Sequence, residues 1–200
     1  MPLPSANSPV IPLPAAPPEG VFDWSQTKAV SRDIRHAELT VSDPRPMKIH
    51  AIKVDLRNPH LRFVTTGRPE NWGEPMPDYP DLTISTCRQT TLDFVKEMCR
   101  KGLNVVLAVN AAPWKPWEKP FTQPYATGIG LAVADRVVVS LPDGRPSLVW
   151  NQDGTMEMRI VKTGEELKNI QLAVSGFQFI LRDGKATVDD NPRLEPRTFY

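Results

Sequence analysis

One stretch of this chain, Thr90 to Lys101, carries apolar residues at helical spacing, and it stands alone in a sequence otherwise patterned for strands. Leu92, Val95, Met98 and Cys99 fall on one face, while Asp93, Lys96, Glu97 and Arg100 point elsewhere. Thr90 followed by Asp93 predicts an N-cap, Arg100 and Lys101 suit the negative end of the helix dipole, and Gly102 supplies a left-handed stop. One helix marked at both ends among many strand candidates predicts a strand-dominated α+β fold. The expected architecture is a mixed or antiparallel sheet with the helix of about 90–101 packed on it.

The strand candidates are set off by turn residues. Ile34 to Thr40 alternates, Met47 to Leu56 continues in Ile and Val beyond Asp43-Pro44-Arg45-Pro46, and Asn58-Pro59 separates this from Leu61 to Thr65. That order predicts an antiparallel meander. Gly67 to Pro80 has no period and reads as a loop. Leu103 to Val109 reads as a buried strand running into Asn110-Ala111-Ala112-Pro113-Trp114, and Lys115 to Thr127 as a second irregular loop. Gly128 to Ser140 predicts a hairpin with Ala134-Asp135-Arg136 at its tip. Leu148 to Val161 predicts another, turning at Asp153-Gly154. Ile170 to Ile180 with Lys185 to Val188 predicts a third, turning at Asp183-Gly184.

Composition narrows the function classes. The 24 basic and 23 acidic side chains nearly cancel and form no cationic block, which argues against nucleic acid as a partner. No apolar run approaches the roughly 20 residues of a membrane-spanning helix. Residues 1–20 are rich in proline and free of Lys and Arg, so they read as an arm or linker without a signal peptide's basic and apolar regions. Residues 21–200 are expected to form one domain. Cys87 and Cys99, separated by a mostly helical segment, are expected to remain unbridged.

The chain lacks a Gly-x-Ser-x-Gly elbow, a Walker loop, a Cys-x-x-Cys pair and a His-Glu-x-x-His pattern. No cofactor or metal site is evident. His36, His50 and His60 lie in or near strand candidates with apolar neighbours and read as structural or exposed.

An ordered series of segments does carry a resemblance. Ile52-Lys53-Val54-Asp55-Leu56 with Asn58-Pro59 comes first, then Thr90-Thr91-Leu92-Asp93-Phe94, then Val105 to Asn110. Pro124, Gly128 and Gly130 precede the Ala134-Asp135 turn, Ala173-Val174-Ser175-Gly176 precedes Leu181 to Lys185, and Pro196-Arg197-Thr198 closes the series. In this order, from about residue 33 to the end, the chain resembles the phosphodiester glycosidase family, which includes the N-acetylglucosamine-1-phosphodiester α-N-acetylglucosaminidases. Two features depart from that pattern. Ala111, Ala112, Pro113 and Trp114 stand where the family commonly has glycines and aromatics, and the family's glycine-rich Leu-Asp-Gly-Gly-Gly-type segment has no counterpart. The domain is therefore expected to be incomplete within these residues.

The resemblance implies a hydrolase that cleaves sugar-1-phosphodiester linkages in glycans or cell-surface polymers, placed outside the cytoplasm. The alternative is a non-catalytic secreted or envelope domain that binds carbohydrate on the same scaffold. Such hydrolysis needs a cationic cradle for phosphate and stabilisation of an oxocarbenium-like sugar. Arg197 is the first candidate to grip phosphate, since a guanidinium meets two oxygens at once; otherwise it is a surface arginine paired with Glu195 or Asp190. Asn110 is the second catalytic candidate, its amide orienting the sugar or phosphate unless it caps the local backbone. Thr198, Gly128, Gly176 and Arg88 are candidate substrate-binding residues. Trp114, Trp117, Phe121 and Tyr125 offer either a sugar-stacking platform or pins for a proline-rich loop.

Overall fold

Lys28–Ser31 (β1), Ile34–Val41 (β2) and Met47–Val54 (β3) form an antiparallel sheet in the order β1-β2-β3, in a computed structural model that describes residues 23–42, 46–162, 167–187 and 198. The chain divides into two compact units at Leu61/Arg62, where the sequence suggests one domain from residue 21 onward, and this sheet belongs to the first. β2 and β3 pair without a slip from Ile34↔Val54 to Val41↔Met47, as the alternating pattern predicts. That register puts Ala37, Leu39, Ile49 and Ala51 on one face and His36, Glu38, Lys48 and His50 on the other. β1, not legible as a strand in the sequence, adds to β2 with a bulge between Ala29 and Ser31.

Beyond β3 the chain turns on Asp55. Its carboxylate accepts from Arg57 Nε at 2.8 Å and Nη2 at 2.6 Å, and from the Arg57 backbone N–H at 3.1 Å. The expected third strand, Leu61 to Thr65, joins no sheet. Phe63 instead sets its ring edge-on against Trp150 at 4.4 Å.

In the second unit the described strands are Pro75–Met76 (β4), Tyr79–Thr83 (β5), Thr86–Cys87 (β6), Trp114–Lys115 (β7), Tyr125–Gly128 (β8), Ala132–Ala134 (β9), Val137–Ser140 (β10), Pro146–Asn151 (β11), Met156–Ile160 (β12), Ile170–Ser175 (β13), Leu181–Arg182 (β14) and Lys185–Ala186 (β15). Five of them build an antiparallel sheet ordered β10-β9-β13-β11-β12. Its core is Leu131, Val133, Val149, Val161, Ile170 and Ala173, all essentially removed from water. The predicted hairpins β9–β10 and β11–β12 are both present. Asp135 (φ 45°) and Arg136 (φ 67°) take the left-handed conformations a tight two-residue turn requires. The third predicted pair is corrected. The run from Ile170 ends at Ser175, where β13 becomes the central strand of the large sheet. Only the short β14–β15 pair turns at Asp183-Gly184, and Val188 lies outside the described residues.

Two serines lock β13 in place. Ser175 Oγ donates to the Leu131 carbonyl at 2.9 Å, leaving its oxygen to accept from Ser147 Oγ at 2.9 Å, and both residues are fully buried. Gly130 lies against them with φ +80°. A Cβ there would meet Ser175 Oγ at 2.6 Å and Ser175 Cβ at 2.7 Å.

The helix (α1) spans Thr91–Arg100, and both ends are built as the sequence predicts. Thr90 Oγ1 accepts from the Asp93 N–H at 3.1 Å. At the other end Gly102 (φ +86°) donates to Cys99 O at 3.0 Å and Leu103 to Met98 O at 3.1 Å, the paired bonds of a Schellman stop. Its packing is sparser than expected. Met98 alone is buried, Phe94 and Val95 are half-buried, and Leu92 and Cys99 are exposed. Cys87 and Cys99 are free.

Leu103 to Val109 forms no strand, which corrects the buried strand expected there. Val106, Leu107 and Val109 are exposed to 43, 39 and 57%. A β-branched run becomes a strand only where a neighbour completes its ladder, and none does so among the described residues. The opposite correction applies to Gly67–Pro80, expected as a loop. β4 and β5 pair there, Met76 is fully buried, and Trp72 Nε1 donates to Val139 O at 2.9 Å beneath the Arg68 guanidinium, 3.4 Å from the ring centroid. The described sheets are antiparallel, and no helix among the described residues is long and apolar enough to cross a membrane.

Gly130→Ala is expected to destabilise the chain by about 2–5 kcal/mol, combining a left-handed alanine with a clash against Ser175. Gly144→Ala, at φ +89° but with open space around it, isolates the backbone penalty of about 1 kcal/mol. Urea unfolding followed by circular dichroism compares the two, and equal losses would show that the Ser175 contact is not limiting. The Arg57 guanidinium hydrogen-bonded to Asp55 lowers that carboxyl from its ordinary 3.8 to about 2. A depressed carboxyl stabilises the fold above its unfolded value and loses that contribution as pH falls through the folded one. Carboxyl NMR titration should therefore place the Asp55 midpoint near 2, and Arg57→Ala should return it toward 3.8.

Candidate functional site

Several of the residues singled out in the sequence fall into two groups in the second unit. In the first, Thr198 Oγ1 donates to Asn110 Oδ1 at 2.9 Å across 88 positions of sequence. The contact joins Asn110, a candidate catalytic residue, to Thr198, a candidate substrate-binding residue. Arg197 lies outside the described residues. The contact is exposed, and it takes one lone pair of the Asn110 oxygen while leaving the amide N–H₂ group to donate.

The second group is built by the small sheet ordered β6-β8-β7. β8 pairs with β6 through Thr86↔Ala126 and with β7 through Trp114↔Gly128. Arg88 follows β6 and is held by its N–H on Pro124 O at 2.8 Å and by Nη1 on Gln123 O at 3.0 Å. Its guanidinium carbon lies 4.2 Å from the centroid of the Trp114 ring and 5.1 Å from that of Phe121. Trp117 completes the cluster, 4.9 Å from both Trp114 and Phe121, and it is 66% exposed.

Of the five N–H donors an arginine carries, one of Arg88's goes to Gln123. The rest have no protein partner among the described residues. Arg88 is therefore a cation held over Trp114 and by Gln123 O, with N–H donors left for an anion. Asn110 precedes Trp114 by four residues, a reach of at most about 14 Å in extended chain, so the two groups are near neighbours.

The loop bearing Trp117 and Phe121 is tied down on its far side. Tyr79 Oη donates to Glu118 Oε2 at 2.5 Å, and Gln123 Nε2 donates to Asp78 Oδ2. The Glu118 carboxylate accepting the phenolic proton, with partial desolvation second, raises the Tyr79 hydroxyl above its ordinary value. These bonds hold the proline-rich loop, whose Trp117 and Phe121 pack on Trp114, while Trp117 stays 66% exposed.

Gly128 admits a close approach within the fold, and Gly176 makes a backbone bond. A Cβ on Gly128 would meet Ser140 Oγ at 2.7 Å, and the Gly176 N–H is committed to Pro146 O at 2.9 Å. Sequence reasoning placed Arg88 near the helix end, and its union with Trp114 and Phe121 depends on strand pairing that no local pattern encodes. It also missed the grouping of His36, Glu38 and His50 in the first unit, the set of described residues whose donor atoms lie close enough to share a metal ion. Comparison of the chain with family models, with curated proteins and with solved structures gives no match.

Arg88→Ala is expected to lower stability by about 1–3 kcal/mol through the lost stack and the unpaired Gln123 carbonyl. It should also change the near-ultraviolet circular dichroism of the tryptophan cluster. Arg88→Lys, which keeps charge but not the planar fork, should recover less than half of the loss. An unchanged unfolding midpoint in Arg88→Ala would show that the stack does not hold the loop.

Proposed function

We propose that this protein is a hydrolase of sugar-1-phosphodiester linkages, acting on glycans or cell-surface polymers outside the cytoplasm. The observation that carries the reading is the Arg88 guanidinium held over Trp114 beside the exposed face of Trp117. A sugar phosphate presents an anion and an apolar ring face side by side, and this cluster offers a partner for each. The bond between Asn110 and Thr198 supports it further, since it joins the two segments that most resemble the glycosidase pattern.

In this reading Arg88 and Arg197 share the phosphate, and the sugar stacks on Trp117. The Asn110 amide donates to a sugar hydroxyl or a phosphate oxygen while Thr198 fixes its orientation. Departure of a phosphate needs less protonation than departure of an alkoxide, so charge stabilisation by the arginines carries most of the rate.

A second reading, a non-catalytic carbohydrate-binding domain, is favoured by the 66% exposure of Trp117. The two are separated by incubating the purified chain with an N-acetylglucosamine-1-phosphodiester and measuring released sugar. Hydrolysis is expected, with kcat/KM falling by about 10²–10³-fold in Arg197→Ala and about tenfold in Asn110→Ala. Absence of release, with glycan binding that is lost in Trp117→Ala, would establish the second reading instead.

A further inference from the structure

The polar face of the β2–β3 hairpin places three metal-binding side chains together. His36 and Glu38 are two residues apart on β2 and so share a face, and the register sets Glu38 directly opposite His50 on β3. His36 Nε2 and His50 Nδ1 lie 3.0 Å apart, and His50 Nδ1 lies 3.6 Å from Glu38 Oε2. One donor atom from each of the three falls within 4.8 Å of the others.

The geometry points to a divalent metal site, with His36 Nε2, His50 Nδ1 and one Glu38 carboxylate oxygen as ligands and Zn²⁺ as the cation that suits them. Zinc bonds of about 2.0–2.2 Å in a tetrahedron put neighbouring ligand atoms about 3.3–3.5 Å apart. The two shortest separations bracket that value. The imidazoles face one another with ring planes 18° apart and centroids 5.2 Å apart, so both rings turn to bring their lone pairs onto one ion, and rotation of the Glu38 side chain closes the third separation. Two imidazoles and a carboxylate form a borderline-soft donor set that favours zinc over calcium or magnesium, which take oxygen ligands. Without metal, the 3.0 Å contact requires a hydrogen between the two ring nitrogens. On binding, that hydrogen moves through solvent to the far nitrogen of its own ring, so both facing nitrogens offer lone pairs and no net proton need be released from a neutral pair.

The surroundings set the strength of the site. Lys48 Nζ holds the other Glu38 oxygen at 2.9 Å, and Lys28 pairs with His36 across β1 and β2. Both cations oppose the charge of a metal ion. Three protein ligands leave a fourth position for water. His36 and Glu38 also border a shallow, open surface depression with Asp23, Gln26 and Thr27.

Calorimetric titration of the metal-stripped full chain with Zn²⁺ at neutral pH should show one equivalent bound. His36→Ala and His50→Ala should each weaken it by about tenfold or more. Lys48→Ala should tighten binding several-fold by freeing Glu38, while His60→Ala and Cys87→Ser/Cys99→Ser should leave it unchanged. In the unsubstituted protein, nitrogen-detected imidazole NMR should show two of the three histidines moving on zinc addition, a measurement independent of whether any variant folds. Zinc uptake indifferent to both histidine substitutions, movement of His60 alone, or no binding at one equivalent would overturn the assignment.

Discussion

The second unit depends on backbone passing too close to side chains for any residue but glycine. Between β8 and β9 the chain runs Gly128-Ile129-Gly130, with Gly128 against Ser140 and Gly130 against Ser175 at distances a Cβ would violate. Ser175 sits in the central strand of the large sheet and is tied to Leu131 and Ser147. Ser140 Oγ donates to the Gly130 carbonyl at 2.5 Å, so the passage is clamped from both sides. β8 carries the small sheet whose other strands place Arg88 and Trp114. The close approach at two glycines therefore connects the candidate site to the only large buried core described in this unit, and displacement there would be transmitted to the site through three short strands.

Such a joint gives Gly128, one of the glycines suggested as ligand contacts, a packing reason of its own. A glycine within a strand signals close approach of something, and the sequence leaves open whether that is substrate or another part of the chain. Here Ser140 occupies the space beside Gly128, and the Gly176 N–H is spent on Pro146. The helix was legible to the residue, because Thr90, Asp93 and Gly102 act through bonds a few positions away. The turns at Asp135, Asp153 and Asp183 were legible for the same reason. Leu61–Thr65 and Leu103–Val109 were not, since a run of Val and Leu specifies extended chain but not a partner, and partnership is what makes a strand.

The candidate site divides along the same line. Asn110 and Thr198 stand out in the sequence by the segments they belong to, whereas the hydrogen bond between them, across 88 positions, is one no local pattern specifies. Arg88 was picked for proximity to a helix end, yet its orientation comes from Trp114 and Gln123, which strand pairing and a loop bring to it. The His36–Glu38–His50 group was hidden because the strand pattern made each histidine look like ordinary sheet surface. Only the register, one unbroken run of pairs from Ile34↔Val54 to Val41↔Met47, reveals that the three meet.

Arg88 and Glu38 face the same electrostatic problem and meet it differently. Arg88 lies over the Trp114 ring and near Phe121, which attract the cation without accepting its N–H bonds, so charge and donors both remain for a ligand. Glu38 is paired through one oxygen with Lys48, while its second oxygen faces His50. An ion pair so exposed adds little to stability. Its effect is on charge: Lys48 offsets part of the carboxylate's attraction for a cation and leaves the second oxygen beside an imidazole. A guanidinium already held at an aromatic ring needs less ordering to receive an anion. In both places the fold has spent its interactions on the side of the group that a ligand does not use.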